Sequence, residues 1–167
     1  MLILIIGLLL FVGGHSVSIL SRPWRDRKAA SLGEGPWKGI YSLVALAGLV
    51  LTVWGFGEAR PAAPVLYEPP IWLRHAAALL MLVAMICLAV AILPGGMLKH
   101  RMKHPLLAAV KIWAFSHLLV NGDLASILLF GTFLAWAVLA RISLKRRGAP
   151  IAPAGPLAWD GGAVALG

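Results

Sequence analysis

Residues 71–93 read IWLRHAAALLMLVAMICLAVAIL, a nearly unbroken apolar stretch that ends at the helix-breaking sequence Pro94-Gly95-Gly96. A stretch of this length can cross the hydrocarbon core of a bilayer, about 30 Å thick, as a tilted α-helix. Four more apolar runs flank it, at residues 2–20, 39–56, 105–120 and 124–142. The sequence therefore predicts an all-α, polytopic transmembrane bundle of about five helices.

The composition of the chain excludes an ordinary soluble domain. Of the 167 residues, 60% are hydrophobic and only 13% are charged, and the mean hydropathy is +0.89. Soluble domains carry about 25% charged residues. Because nearly all of the chain lies in the apolar runs, no room remains for a separate soluble domain. We expect the lipid bilayer to be its partner and any chemistry to lie in or at the membrane.

The basic residues predict the orientation of the chain in the membrane. The formal net charge is +9, and 12 of the 15 lysines and arginines fall in residues 21–38, 94–104 and 141–147. The positive-inside rule places these segments in the cytoplasm, with the N-terminus outside and the C-terminus inside. No basic stretch carries interleaved aromatic residues or a reading motif, so we expect no binding to nucleic acid.

Two features predict how the chain ends. Only Asn121, Gly122 and Asp123 separate the last two runs, and these turn-forming residues favour a tight antiparallel hairpin. Residues 1–147 then form the transmembrane domain, and residues 148–167 an alanine-, proline- and glycine-rich cytoplasmic tail that we expect to be mobile. The tail ends in GAVALG, like an apolar segment that has only begun, so we expect the chain to be truncated or naturally short.

Ionisable residues inside a membrane span are functional candidates, because burying them in lipid is costly. His15 lies in the first run, directly after Gly13 and Gly14, which leave space for a neighbouring helix or a planar ligand. The alternative is an ordinary packing face formed by Gly14 and Ser18, across which His15 bonds a carbonyl group.

His117 is the second histidine inside a run. Trp113, His117 and Asn121 recur at every fourth position and so share one helix face. The alternative is a hydrogen-bonded patch that pins the hairpin, with Asn121 and Asp123 capping helix ends. His15 and His117 differ in predicted depth by roughly 10 Å, and His75 is the competing partner for His117 on depth alone.

Two imidazoles facing each other in a bundle suit a non-covalent haem b, because each supplies a lone pair to an axial position of the iron. His15 and His117 are the predicted axial ligands, with His75 or His104 as the substitutes left open. Arg22 and Arg25 follow His15 closely and could receive the haem propionates. Trp113 and Asn121 are predicted to line the pocket.

Several stretches of the chain resemble the NnrU family of bacterial membrane proteins. They are GGHS at 13–16, RPWR at 22–25, KHPLL at 103–107, IWAFSHLLVNGD at 112–123 and LLFG at 128–131. The resemblance covers most of residues 1–147. It implies a multi-pass protein of the bacterial cell inner membrane that supports the expression of nitrite and nitric oxide reductases in denitrification.

The NnrU family is in turn similar to the plant and cyanobacterial zeta-carotene isomerase. That enzyme resembles a redox-switched haem b protein, in which reduced iron drops a ligand, binds a polyene and isomerises a central cis double bond. Its haem histidines match His15 and His117, which implies an iron-binding haem site and a hydrophobic polyene or isoprenoid ligand. The chain departs from it at Ala114, where the isomerase has a cysteine, and after residue 147, where family members continue into another apolar helix.

Two functions of other classes remain as alternatives. The first is a non-enzymatic accessory protein without cofactor, which supports respiratory reductases through helix contacts alone. The second rests on Lys103-His104-Pro105, which resembles the Arg-His-Pro motif of membrane isoprenylcysteine methyltransferases. For the methyl-donor site of such an enzyme, the tail offers only Trp159 and Asp160.

Overall fold

The computed structural model describes residues 1–167 as a series of helices joined by short links. The chain is 80% helical and contains no strand, which confirms the all-α fold class. In chain order the α-helices are α1 (Leu2–Leu20), α2 (Arg22–Leu32), α3 (Glu34–Ala59), α4 (Leu73–Ile92), α5 (Met97–Met102), α6 (Pro105–Val120), α7 (Leu124–Arg146) and α8 (Leu157–Leu166). A turn of 3-10 helix, Arg60–Ala62, extends α3.

Four helices are long and apolar enough to cross a membrane, namely α1, α3 with its extension, α4 and α7. No more than 22% of the most apolar part of each is buried, and large side chains such as Leu9, Leu43 and Ile92 are 68–74% exposed. Apolar surface on this scale is unfavourable in water and suits contact with lipid. The fifth predicted helix is α6, whose 16 residues make it shorter than the other four.

The chain divides into two units, of which the first comprises Met1–Leu66 and Asp123–Thr132. Within it α1 packs along α3 with the two backbones in contact. A Cβ atom on Gly48 would lie 2.6 Å from the backbone nitrogen of Phe11, and one on Gly7 or Gly55 would collide with the facing backbone. Residues without side chains permit this approach, as is common between membrane helices.

The second unit comprises Tyr67–Gly122 and Phe133–Gly167. In it α4 packs against both α6 and α8. The buried positions at its centre are mostly small, including Ala77 and Ala84 of α4 and Ala109 and Ala114 of α6. Small residues again let these helices lie close together.

The turn between α6 and α7 is fixed by side chains at both helix ends. The Asn121 amide donates a hydrogen bond to the His117 carbonyl oxygen (2.9 Å) and closes the last turn of α6. The Asp123 carboxylate accepts hydrogen bonds from the backbone N–H (2.8 Å) and the hydroxyl (2.7 Å) of Ser126, and so caps α7. Farther from the turn, the rings of Trp113 and Phe133 meet edge to face at 5.6 Å.

The second half of the tail forms α8, a helix that the sequence pattern did not predict. Asp160 anchors this helix: its two carboxylate oxygens accept hydrogen bonds from the backbone N–H groups of Met97 and Leu98, each at 3.0 Å. Ala163 is buried at the contact with α4. Composition could not reveal this anchor, since its partners lie 62 and 63 residues away in the chain.

Candidate functional site

His15 borders a cavity of about 290 Å³ within the first unit. The cavity is lined by Gly14, His15, Val17 and Ser18 of α1, by Arg25 of α2, and by Trp37, Lys38 and Tyr41 of α3. A Cβ atom on Gly13 would meet nothing within 4 Å, and one on Gly14 would meet only Val44, at 4.0 Å. The two glycines therefore leave open space beside His15, and the close α1–α3 contact lies earlier in α1, at Gly7.

The His15 ring is held by its own helix and by two aromatic neighbours. Its Nδ1 atom lies 2.7 Å from the Phe11 carbonyl oxygen. A carbonyl oxygen only accepts hydrogen bonds, so Nδ1 is the donor in this contact, and in the neutral form of the ring the lone pair is on Nε2. The ring lies 4.4 Å from that of Phe11 and meets the edge of Tyr41 at 5.4 Å. These contacts restrict the ring in a defined tautomer.

The charged groups of this cavity are Arg25 and Lys38. Arg25 donates to Asp26 at 2.7 Å in a pair that is about half exposed, and Lys38 donates to Glu34 at 2.8 Å in a pair that is mostly exposed. Arg22 pairs more loosely with Asp26, at 3.6 Å, and does not line the cavity. Of the two arginines that the sequence proposed, only Arg25 therefore lies at the His15 cavity.

The three residues of α3 that line this cavity, Trp37, Lys38 and Tyr41, were not predicted from the sequence. The spacing of Trp37 and Tyr41, four residues apart, places them on one face of α3, but the sequence does not show that this face meets His15. The Trp37 ring also meets the edge of Trp24 at 6.0 Å, which joins α2 to α3.

His117 borders a second cavity, of about 200 Å³, within the second unit. Its walls are Arg74, Ala77, Ala78 and Met81 of α4 and Ser116, His117 and Val120 of α6. The alanines leave room beside the imidazole, the methionine is flexible, and Arg74 contributes the positive charge. The proximity of Arg74 to His117 depends on the register of α4 against α6, which the sequence does not show.

Trp113 and Asn121 support His117 from its own helix. The Trp113 ring meets the His117 ring edge to face at 5.5 Å. Asn121 donates both its backbone N–H (3.0 Å) and its side-chain amide (2.9 Å) to the His117 carbonyl oxygen. Neither residue lines the cavity. The geometry of Asn121 is the helix-capping alternative that the sequence had left open.

None of the other three histidines lines either of these cavities. His75 is exposed near the start of α4, and His100 bonds the Ala152 carbonyl oxygen through Nδ1 at 2.9 Å. His104 caps the start of α6, where burial lowers the pKa of its ring and the charges of Arg141 and Lys103 lower it further. No group of three or more histidine, cysteine or acidic side chains is arranged to hold a metal ion. A haem iron does not need such a group, because the porphyrin supplies the four equatorial nitrogens and the protein supplies only the axial ligands.

Comparison with known proteins identifies one family. The family model described as NnrU protein matches residues 3–163, nearly the whole chain. No curated protein and no solved structure matches this chain. The matched range includes both histidine cavities.

Proposed function

Because the chain belongs to the NnrU family, we propose that it is a multi-pass haem b protein of the bacterial inner membrane, with His15 and His117 as axial iron ligands. One observation carries this proposal, the 2.7 Å contact of His15 Nδ1 with the Phe11 carbonyl oxygen. Histidines that bind metals commonly donate one ring N–H to a carbonyl or carboxylate, which orients the lone pair of the other nitrogen.

The residues around His15 fit a haem in their chemistry. Trp37 and Tyr41 offer aromatic surface to an apolar macrocycle, and Arg25 and Lys38 offer positive charge to its propionates. The present carboxylate partners of these two cations are exposed. Exposed ion pairs contribute little stability, so exchanging them for propionates would cost the fold little.

The residues around His117 fit the same group. Ala77, Ala78 and Met81 give an adaptable apolar wall, and Arg74 supplies a cation. Trp113 restricts the imidazole through its ring contact, and Asn121 fixes the helix turn that carries it. Both act as positioning residues in this proposal.

Haem b supplies a redox-active iron with tunable axial ligation. Following the family resemblance, a bound haem would serve one of two roles: a redox-dependent isomerisation of a hydrophobic polyene or isoprenoid, or support of nitrite and nitric oxide reductase expression. The residues of this chain would hold the iron, exclude water and present an apolar wall to the ligand.

A second candidate is an accessory membrane protein without cofactor. It is favoured by polar side chains that stabilise helix ends and so need no ligand. Asn121 caps α6, Asp123 caps α7, and Asp160 accepts hydrogen bonds from the first N–H groups of α5. In this alternative the histidines serve packing alone.

The test is a reduced-minus-oxidised visible spectrum of the detergent-purified protein, expressed with added iron and haem precursor. We expect a b-type spectrum that is lost or strongly shifted in His15→Ala and in His117→Ala. His75→Ala is the matched control, because this exposed histidine lies outside both cavities. Added imidazole should restore the spectrum in His15→Gly and His117→Gly, which separates lost ligation from misfolding. A colourless wild-type protein would refute the haem proposal and favour the accessory function.

A further inference from the structure

A third cavity, of about 200 Å³, lies in the second unit where the link before α6 meets the end of α7. It is lined by Lys103, His104, Arg141, Leu144, Lys145, Gly148, Ala149 and Ile151. Arg141, Leu144 and Lys145 lie three and four residues apart on one face of α7, so this helix places two basic side chains at the cavity. Three basic side chains and one histidine thus border a volume that suits a small anionic group.

Nothing in the cavity neutralises this charge. No acidic residue lines it, and none of the ion pairs of the chain includes Lys103, Arg141 or Lys145. Cations held close together repel one another, and the positive end of the α6 dipole lies at His104, its N-cap residue. The lowered pKa of the His104 ring reports burial first and then this same field of Arg141 and Lys103. An anion would relieve the repulsion.

The backbone at Lys103 is held in a rarely adopted conformation. Lys103 has φ +65° and ψ −50° and is the single non-glycine residue with positive φ. The His104 N–H donates to the Met102 carbonyl oxygen at 2.7 Å and closes a three-residue turn around Lys103. Turns of this kind are strained, and such strain is concentrated at ligand-binding positions. Here it brings Lys103 and His104 together at the cavity.

The cavity also has an apolar side, formed by Leu144, Ala149 and Ile151. It lies at the end of α7, one of the helices long enough to span the membrane, where lipid headgroups would be found. Basic pockets at the ends of membrane helices are suited to phosphate-bearing headgroups. We propose that the cavity around Lys103, Arg141 and Lys145 binds the phosphate of an anionic phospholipid.

The proposal is tested by native mass spectrometry of the full-length protein titrated with phosphatidic acid, with phosphatidylcholine as the zwitterionic comparison. We expect phosphatidic acid to bind at least about fivefold more tightly, the effect of roughly one basic side chain near a headgroup. Arg141→Gln should weaken this binding about fivefold. Arg146→Gln makes the same charge change in the same helix, at an exposed residue outside the cavity, and should change it less than about twofold.

A variant of Lys103 separates loss of the site from loss of the fold. Lys103→Gly removes a cation but accepts positive φ without strain, so it should raise the unfolding temperature while weakening phosphatidic acid binding. A fall in both quantities would contradict the role of the strained turn in binding.

Three further outcomes are decisive. Equal affinity for the two lipids overturns the proposal. Equal losses in Arg141→Gln and Arg146→Gln also overturn it, because they would indicate general surface attraction. If inorganic phosphate displaces the lipid at equal concentration, the occupant is free phosphate and the lipid assignment is wrong.

Discussion

The Asp123 carboxylate has two roles in the first unit, as a helix cap and as an ion-pair partner. It caps α7 through Ser126 and lies 3.5 Å from the Arg60 guanidinium, with only 13% of the side chain exposed. Burial raises the pKa of this carboxyl, but the hydrogen bonds from Ser126 and the charge of Arg60 outweigh burial and lower the pKa overall. The ionised form is therefore the one that the fold stabilises.

Replacing Asp123 with asparagine tests this electrostatic role, because asparagine is an equally good helix cap without the charge. We expect Asp123→Asn to cost about 0.5–1 kcal/mol at neutral pH. A carboxyl whose pKa is lower in the folded than in the unfolded state stabilises above the unfolded value, near 3.9, and loses this contribution as the pH falls through the folded value. Thermal unfolding at several pH values should thus show the two proteins converging on acidification. Asp26→Asn, at a half-exposed side chain, is the control, and a difference that persists at low pH would refute the assignment.

At the scale of single residues, the sequence predicted what depends on close neighbours in the chain. The space beside His15 follows from Gly13 and Gly14, which adjoin it. Lys38 and Tyr41 line the His15 cavity because of the register of α3 against α1. The hydropathy pattern of an almost uniformly apolar span does not contain this register. The role of Asn121 stayed ambiguous for a similar reason, since a face shared with His117 suits both a pocket and a cap.

Among the helices, the α1–α3 pair shows which information hydropathy leaves out. The apolar run at 39–56 predicted the centre of α3, but the helix extends over Glu34–Ala59, and its first turns carry the exposed Glu34–Lys38 ion pair. The basic link at 21–38 also contains α2, which no hydrophobic pattern marked. Gly14 and Ser18, the alternative packing face, line the His15 cavity, whereas α1 and α3 touch at Gly7, Gly48 and Gly55.

Alanine substitutions in α3 measure this backbone contact. Gly55→Ala would place a Cβ atom against the backbone of Ile3 and Leu4, so we expect a loss of about 1–3 kcal/mol. Gly57 lies two residues away with nothing within 4 Å of its Cβ position. Gly57→Ala should therefore be neutral or stabilising by up to about 1 kcal/mol, through helix propensity. Helix content followed by circular dichroism during thermal unfolding in detergent gives both values, and equal effects would show that α1 and α3 do not meet at Gly55.

For the whole molecule, composition predicted the all-α class because a chain with so few charges must satisfy its backbone internally in lipid. Hydropathy predicted all four long helices. It also predicted α6, which has 16 residues and is shorter than a typical span. Hydropathy could not predict that Asp160 anchors α8, because a single carboxylate in an apolar tail has no periodic pattern.

The charge asymmetry of the chain makes a prediction that labelling can test. In a Cys87→Ala background, which removes the single native cysteine, Ser31→Cys and Ala62→Cys each introduce one exposed thiol. Ser31 lies in the basic α2 and Ala62 in the proline-rich link after α3, so the positive-inside rule places them on opposite sides of the membrane. A membrane-impermeant maleimide should label Ala62→Cys in intact spheroplasts and Ser31→Cys only after permeabilisation. The reverse pattern would show that the predicted orientation is wrong. Because Arg25 of α2 borders the His15 cavity, the side on which Ser31 reacts also identifies the face of the membrane nearest that cavity.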